Sequence, residues 1–274
     1  MEILLVTPSH PYLKLWQPQN LWRRALVQLG HKVKFFRFNW FNRFWLQRLI
    51  KASRPDEIFF SAGRDIVFPL KHTVFFSGVP FSMLSYSEKV TGLQAKLVVT
   101  NDPTHAQDWL KRGAASAVCL PISAIDPKLH RPMAPRPAYQ ADVVFIGGLS
   151  LSRQQLFQKL VASKINLRLY GTLPDNFLSP QLQPFYHGPA WGKAIPQIYS
   201  SCQIALNPLP PPLPHGFNLR AFEIPACGAF PLTYHFQFRP ADLITKINYY
   251  LHHPALRRKI ARVKYRRVHR DHTY

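Results

Sequence analysis

Acidic residues are scarce in this chain: its 274 residues include 13 Asp and Glu against 35 Lys and Arg, a formal charge of +22. This surplus indicates an anionic partner, and nucleic acid, anionic lipid and phosphorylated small molecules all fit. The three cysteines, Cys119, Cys202 and Cys227, match no zinc or disulfide spacing, which predicts a reduced, cytoplasmic protein. No apolar run approaches the roughly 18 residues of a membrane span. No Asp-x-Asp metal motif occurs.

Apolar residues are plentiful, 47% of the total, and they form alternating strand-like and helix-like segments. Strands separated by helices predict the α/β class, with parallel sheets covered on both faces. A proline-rich stretch from Pro121 to Tyr139 predicts a linker. We therefore predict two Rossmann-like domains facing a cleft, 1–135 and 136–274, with ligands beyond the carboxyl ends of the strands. In the second domain, Phe185–His187 is predicted as a short strand.

Two segments combine basic residues with a helical apolar pattern. The last predicted helix holds eight basic residues within 14 positions, and Leu256, Ile260 and Val263 are spaced as an apolar stripe. This pattern fits either a solvated helix face or an amphipathic helix lying on anionic lipid. In Asn39–Arg54, aromatic residues recur at helical spacing, which favours core packing over an interfacial or RNA-binding role. We find no nucleic-acid-binding motif, so nucleic acid is the weaker interpretation of the charge.

The segment richest in chemistry contains Glu223, the only glutamate after Glu88. A carboxylate near a helix start can accept two hydroxyl hydrogen bonds, as from a ribose. The neighbouring Arg220 guanidinium and the amides of the helix start suit a diphosphate. An isolated helical glutamate is also commonly a surface residue, so both interpretations stay open at this point.

The string from Asn218 to Gly228, NLRAFEIPACG, resembles the hallmark segment of CgeB-like (spore maturation protein B) glycosyltransferases, relatives of glycosyltransferase family 4. Asp142–Gly148 with Arg153, and then Tyr170-Gly171 and Tyr186–Gly188, resemble further donor-domain pieces in order and spacing. The resemblance implies a GT-B fold with an acceptor domain over 1–135 and a nucleotide-sugar donor domain over 136–274. It also implies sugar transfer to a glycan, lipid-linked or protein acceptor, with retention of configuration and without a metal or other cofactor.

The resemblance also assigns roles to residues. The donor would be bound by Gly147, Gly148, Arg153, Tyr170, Gly171, His187, Gly188, Asn218, Arg220 and Glu223. Within this set, Arg153, Arg220 and the glycine amides would stabilise the departing diphosphate. Glu223 would anchor the ribose, and Tyr170 and His187 would frame the base.

Three histidines are candidate catalytic groups. His10 and His105 each follow a predicted strand, and Asp102, beside Pro103, is predicted to cap the helix that contains His105. His215 stands where family 4 enzymes commonly carry a second glutamate. This departure, with the short stretch from Phe230 to Asp242, keeps two alternatives open: a degenerate partner subunit, and a non-catalytic module binding RNA or anionic membrane. The expected location is cytoplasmic, with peripheral contact at the inner membrane face.

Overall fold

The computed structural model describes residues 1–8, 18–38, 43–61, 72–121, 125–209 and 215–273. The chain divides into two compact units. The first unit comprises Met1–Ser123 with Pro212–Asn218 and Tyr274, and the second comprises Ala124–Pro211 and Leu219–Thr273. The main division thus falls inside the predicted proline-rich linker, before position 135. His10 lies outside the described residues. The acceptor and donor roles of the two halves stay predictions.

Within the described residues, the first unit contains six parallel strands in the order β2-β1-β3-β4-β5-β6. Helices pack against this sheet, and its core includes Leu4, Val6, Phe60, Phe75 and Trp109. The strands are β1 (Glu2–Pro8), β2 (Lys32–Phe38), β3 (Glu57–Ser61), β4 (Thr73–Ser77), β5 (Leu97–Thr100) and β6 (Ala117–Cys119). The helices are α1 (Pro18–Gln28), α2 (Arg43–Ser53), α3 (Tyr86–Gln94) and α4 (Pro103–Lys111), with a 3-10 turn at Phe81–Met83.

The second unit contains four parallel strands among its described residues, in the order β10-β9-β7-β8. The strands are β7 (Ala141–Ile146), β8 (Leu167–Tyr170), β9 (Cys202–Leu209) and β10 (Pro231–His235). The helices are α5 (Leu151–Ala162), α6 (Ala194–Ser201), α7 (Arg220–Ala226), α8 (Pro240–His252) and α9 (Pro254–Asp271). Short 3-10 segments occur at Pro137–Tyr139 and Pro180–Phe185. Both units therefore have the predicted α/β architecture and are Rossmann-like.

Burial explains why these segments form strands and helices. Central strand β7 is apolar at almost every position and nearly all of it is buried, as expected for a parallel strand covered on both faces. Helix α4 begins at Pro103, and the Asp102 carboxylate accepts a hydrogen bond from the Thr104 amide, which confirms the predicted N-cap. Helix α3 was not predicted, although Ser85 and Glu88 form a capping box at its start.

Two predictions need correction, and a third holds for only some of its residues. The strand predicted at Phe185–His187 is wrong, because this segment makes only an isolated bridge between Tyr186 and Leu169. The apolar stripe of α9 is also wrong: Ile260 packs against the core of the second unit, whereas Val263 is 60% exposed. In α2, Leu46 is fully buried but Trp45 is exposed under the Arg48 guanidinium, so not every residue of that pattern packs inward.

Candidate functional site

The order in which strands are added to the second sheet reverses at β7. The chain passes from β7 to β8 on one side and later places β9 on the other side of β7. In an open parallel sheet, a crevice for ligands forms beyond the carboxyl ends of the strands at such a switch point. Gly147 and Gly148 follow β7 directly, and Gly171 follows β8. The predicted glycines therefore lie at the edge where this fold binds ligands.

Two of these glycines allow very close backbone packing. Gly171 has a φ of +140°, and a Cβ there would lie 1.8 Å from the Gly147 carbonyl oxygen. The Gly147 amide donates to the Tyr170 carbonyl at 2.9 Å, which joins the turns after β7 and β8. A Cβ on Gly147 would lie 2.6 Å from Nη1 of Arg220. Only glycine at these positions leaves room for the neighbouring turn and for the Arg220 guanidinium.

Arg153 and Arg220 are brought together over one aromatic ring. Their guanidinium carbons lie 5.4 Å and 5.3 Å from the centroid of the Phe145 ring. Arg153 donates to the Gly148 carbonyl at 2.9 Å and to the Pro208 carbonyl at 3.1 Å, so it bridges the ends of β7 and β9. The Nε atoms of both arginines are buried and have no hydrogen-bond partner among the described residues.

The electrostatics of this pair favour an anion. Burial, and after it the positive charge of Arg220, lower the pKa of Arg153 to about 9. Burial also lowers the pKa of Arg220, against the opposing effect of Tyr199 and Glu223. Neither arginine takes part in an ion pair with a carboxylate of the described residues. A phosphate could accept a hydrogen bond from the buried Nε of either guanidinium.

The Glu223 carboxylate is buried within the second unit and does not point to solvent. Its residue is 7% exposed, and Oε1 lies 3.4 Å from Nε2 of His130. The Asp126 amide donates to Nδ1 of His130 at 3.0 Å, so the ring hydrogen of neutral His130 lies on Nε2 and faces Glu223. His130 was not predicted, because it lies in the proline-rich stretch with no motif around it.

Tyr170 and His187 form a ring pair at the end of β8. Their centroids are 5.4 Å apart with an interplanar angle of 28°. The Gly171 amide donates to the Gly188 carbonyl at 3.0 Å, which holds the two turns together. Burial raises the pKa of Tyr170, whereas burial and the charge of Arg168 lower the pKa of His187. Tyr170 is 4% exposed and belongs to the core, so only the exposed ring of His187 is available to stack against a nucleobase.

The remaining predicted residues lie in the first unit. His105 is buried on α4, and in the described part of the chain its Nδ1 has no hydrogen-bond partner. His215 is exposed, and its backbone amide donates to Oδ2 of Asp102 at 3.0 Å. Asn218 is half-buried and lies two positions before α7. The catalytic roles of His10, His105 and His215 stay predictions.

The described residues contain no cluster of three or more His, Cys, Asp or Glu side chains placed to bind a metal ion.

A hollow of about 510 Å³ lies at the opposite edge of the second sheet, lined by Asp142, Asn166, Arg168 and Gln203 among others. That edge carries the amino ends of the strands, whereas ligands of such sheets bind at the carboxyl ends. We therefore assign the candidate site to the arginine edge.

Comparisons with known proteins show similarity at the level of one sequence segment and of the fold. A family model described as glycosyl transferase-like matches residues 153–274. An α1,3-fucosyltransferase solved with GDP aligns with 94% of this chain and 80% of its own, with a TM-score of 0.54 and 9% identity. MurG of Acinetobacter baumannii aligns with 97% and 95%, with a TM-score of 0.49 and 9% identity. Comparison with curated protein sequences gives no match.

Two coarse conclusions follow. Residues 153–274, a range that contains Arg153, Arg220 and Glu223, are similar to the glycosyl transferase-like family. The similarity to the fucosyltransferase shows the fold, which is the GT-B fold with two Rossmann-like units. The CgeB-like and family 4 assignments stay predictions. None of the described helices is long and apolar enough to cross a membrane.

Proposed function

We propose that the protein is a glycosyltransferase that uses a nucleoside diphosphate sugar as donor and needs no metal ion. The observation that carries the proposal is the pair of buried guanidiniums, Arg153 and Arg220, at the carboxyl ends of β7 and β9. Negative charge grows on the diphosphate as the bond to the sugar breaks. Two fixed cations at that position supply the stabilisation that a metal ion supplies in other enzymes.

Glu223 is proposed to bind the ribose. It lies three residues after Arg220 on α7, so the carboxylate and the guanidinium belong to one helical turn. An ionised carboxylate has about four acceptor positions, and the ring of His130 occupies one of them on Oε1. The remaining positions suffice for two ribose hydroxyls. The exposed ring of His187, which stacks on the buried Tyr170, is proposed to stack against the base.

The comparisons support the same chemistry. The family model covers the residues assigned to the donor apart from Gly147 and Gly148, and the fucosyltransferase that shares the fold was solved with a nucleoside diphosphate. We propose retention of configuration from the resemblance to family 4, with a glycan, lipid-linked or protein acceptor. A cytoplasmic location is part of the same proposal.

Thermal unfolding with UDP, GDP, dTDP and ADP, each with EDTA, tests the donor site. At least one nucleotide should raise the melting temperature of the wild type without metal. Glu223→Gln should reduce that rise, because the amide loses acceptor capacity for the ribose hydroxyls. Arg239→Met is the matched control, since its side chain is 84% exposed and pairs only with Asp242 among the described ion pairs. The proposal fails if no nucleotide stabilises the wild type.

Catalysis needs a separate measurement. Incubation with a panel of sugar nucleotides should release a nucleoside diphosphate by slow donor hydrolysis, even without the acceptor. Hydrolysis that Glu223→Gln reduces would support an active transferase. Nucleotide binding without any hydrolysis would instead identify a degenerate partner subunit, one of the alternatives that His215 left open.

A further inference from the structure

We infer that the exposed side of α9 is a docking surface for the anionic lipid headgroups of a membrane. We call this surface the α9 cationic face and define it by four exposed side chains: Arg258, Lys259, Arg262 and Arg266. Together with Ala255 and Val263 they line a groove of about 410 Å³ along the helix. The inference concerns the location of the protein and does not rest on the proposed sugar transfer.

The other side of the helix anchors it to the second unit. Ala261 and Val268 are buried, and Ile260 packs against the core of the unit. Arg257 is 9% exposed and donates to the Gln203 side chain and to the Tyr250 and Leu251 carbonyls. The inward side of α9 therefore packs against and hydrogen-bonds to the second unit, and these contacts fix the orientation of the α9 cationic face.

The charge of this face is uncompensated. Between Asp242 and Asp271 the sequence contains no acidic residue. The ion pairs of the described residues include none of the four side chains that define the face. Arg258, Arg262 and Arg266 are four residues apart, the spacing at which like charges on a helix repel each other. An anionic surface would relieve this repulsion.

The composition of the face favours lipid over nucleic acid. Its groove is lined by basic residues with Ala255 and Val263, and it has no aromatic ring to stack on a base and no Asn or Gln to read a base edge. Val263 is 60% exposed between basic side chains, which suits the boundary between headgroups and acyl chains. Four aligned cations on one rigid helix match a surface with many mobile anionic headgroups.

The packing also decides how the face would bind. Because Ile260 belongs to the core, the helix has no complete apolar side to insert into a bilayer. Binding must then be mainly electrostatic, and it should weaken as salt shortens the range of the charges. This differs from the amphipathic insertion that the sequence pattern allowed.

Vesicle co-sedimentation of the full chain tests the inference. The wild type should bind phosphatidylcholine vesicles that contain phosphatidylglycerol, and high salt should dissociate it from them. It should not bind vesicles of pure phosphatidylcholine. The triple variant Arg258→Glu/Lys259→Glu/Arg262→Glu should lose ~100-fold or more in affinity, as expected for three basic side chains near an anionic surface. The neutral variant Arg258→Gln/Lys259→Gln/Arg262→Gln should lose less and keeps the test valid if charge reversal impairs folding.

A matched control separates this face from overall charge. Lys159→Glu/Lys193→Glu/Lys246→Glu changes three exposed lysines of the same unit by the same total charge, and it should bind anionic vesicles like the wild type. Equal losses in both charge-reversed variants would overturn the inference, as would equal binding to neutral and anionic vesicles. Tighter binding of RNA or duplex DNA than of vesicles, lost in the α9 variants, would assign the face to nucleic acid instead.

Discussion

Charged side chains at the carboxyl ends of the two sheets differ in how completely they are hydrogen-bonded by their own chain. In the first unit, the Asp102 carboxylate accepts hydrogen bonds from the Thr104 amide, the Thr104 hydroxyl and the His215 amide. In the second unit, the guanidiniums of Arg153 and Arg220 lie over one ring, and Arg153 donates to the Gly148 and Pro208 carbonyls. The buried Nε of each arginine has no partner among the described residues. A buried charged group with an unpartnered donor indicates a ligand site, whereas a carboxylate whose two oxygens accept hydrogen bonds from its own chain is structural.

The uncharged polar atoms sharpen this difference. At the edge of the first unit, Oδ1 of Asn101 and Nδ1 of His105 are buried without partners among the described residues, and amide and imidazole atoms of this kind suit hydroxyl groups. In the second unit, the corresponding atoms include the Nε donors of Arg153 and Arg220, which suit anions, together with the Tyr199 hydroxyl. The cationic donors therefore distinguish the second edge from the first.

The largest expected effect is a loss of stability in the variant Gly171→Ala. The added Cβ would lie 1.8 Å from the Gly147 carbonyl oxygen at a φ of +140°, so the turns after β7 and β8 would have to separate. We expect the free energy of unfolding to fall by at least ~3 kcal/mol, measured by urea denaturation. Gly188→Ala is the control, since its Cβ meets nothing within 4 Å and only its φ of +79° opposes alanine. Similar losses in both variants would contradict the packing described here.

Arg220→Met should change binding and stability in opposite directions. Loss of the guanidinium should weaken nucleoside diphosphate binding by roughly 100-fold, the size expected for a charged phosphate contact in a buried site. The free energy of unfolding should rise by about 1 kcal/mol, because a buried guanidinium whose Nε has no partner among the described residues is removed while contact with Phe145 remains. Calorimetric titration and urea denaturation measure the two effects. A less stable variant would show that Arg220 is structural.

Asp102→Ala should lower the stability of the protein, whereas Arg220→Met should raise it. It removes the N-cap of α4 and the acceptor of the His215 amide, so we expect a loss of about 1–2 kcal/mol in unfolding free energy. Burial raises the pKa of Asp102, but hydrogen bonds from Thr104 and His215 outweigh it and the pKa is lowered overall. The stabilisation is therefore present above the ordinary carboxyl pKa and is lost in acid. A difference between wild type and variant that persists in strong acid would contradict this assignment.

The smallest predicted effect is a pH dependence of nucleotide affinity. Arg153 has a pKa of about 9, so it is charged below that pH and loses its proton above it. Affinity for a nucleoside diphosphate should be constant from pH 7 to 8 and then fall by up to about tenfold per pH unit above 9. Titrations with Arg153→Met should show no such fall. A variant that retains the same pH profile would assign the titration to another group.

The strands were predictable wherever an apolar run is bounded by turn residues. The predictions for Lys32–Phe38 and Leu167–Tyr170 coincide with β2 and β8. The run Phe185–His187 is equally apolar, but the Tyr186 hydroxyl donates to the Gly171 carbonyl and only one bridge forms, so the segment belongs to a turn. A three-residue pattern cannot distinguish these outcomes, because tertiary contacts determine them.

The candidate site was predictable only where its residues are close in sequence or follow a strand. Arg220 and Glu223 share one segment, and the glycine pair follows the first strand of its domain. Phe145 and His130 were missed, since neither has a local pattern that indicates a role. Phe145 contributes through its ring under two arginines, and His130 through one nitrogen facing Glu223.

The sequence by itself determined the α/β class, the alternation of elements and the large cationic surplus, because these depend on local periodicity and composition. Only the tertiary structure decided which charges are satisfied. It placed Arg153 and Arg220 over Phe145, buried Glu223 against His130, hydrogen-bonded Asp102 within the first unit, and turned one side of α9 outward. The reason is physical: the free energy of a charge depends on its burial and its partners, and those partners are distant in the chain.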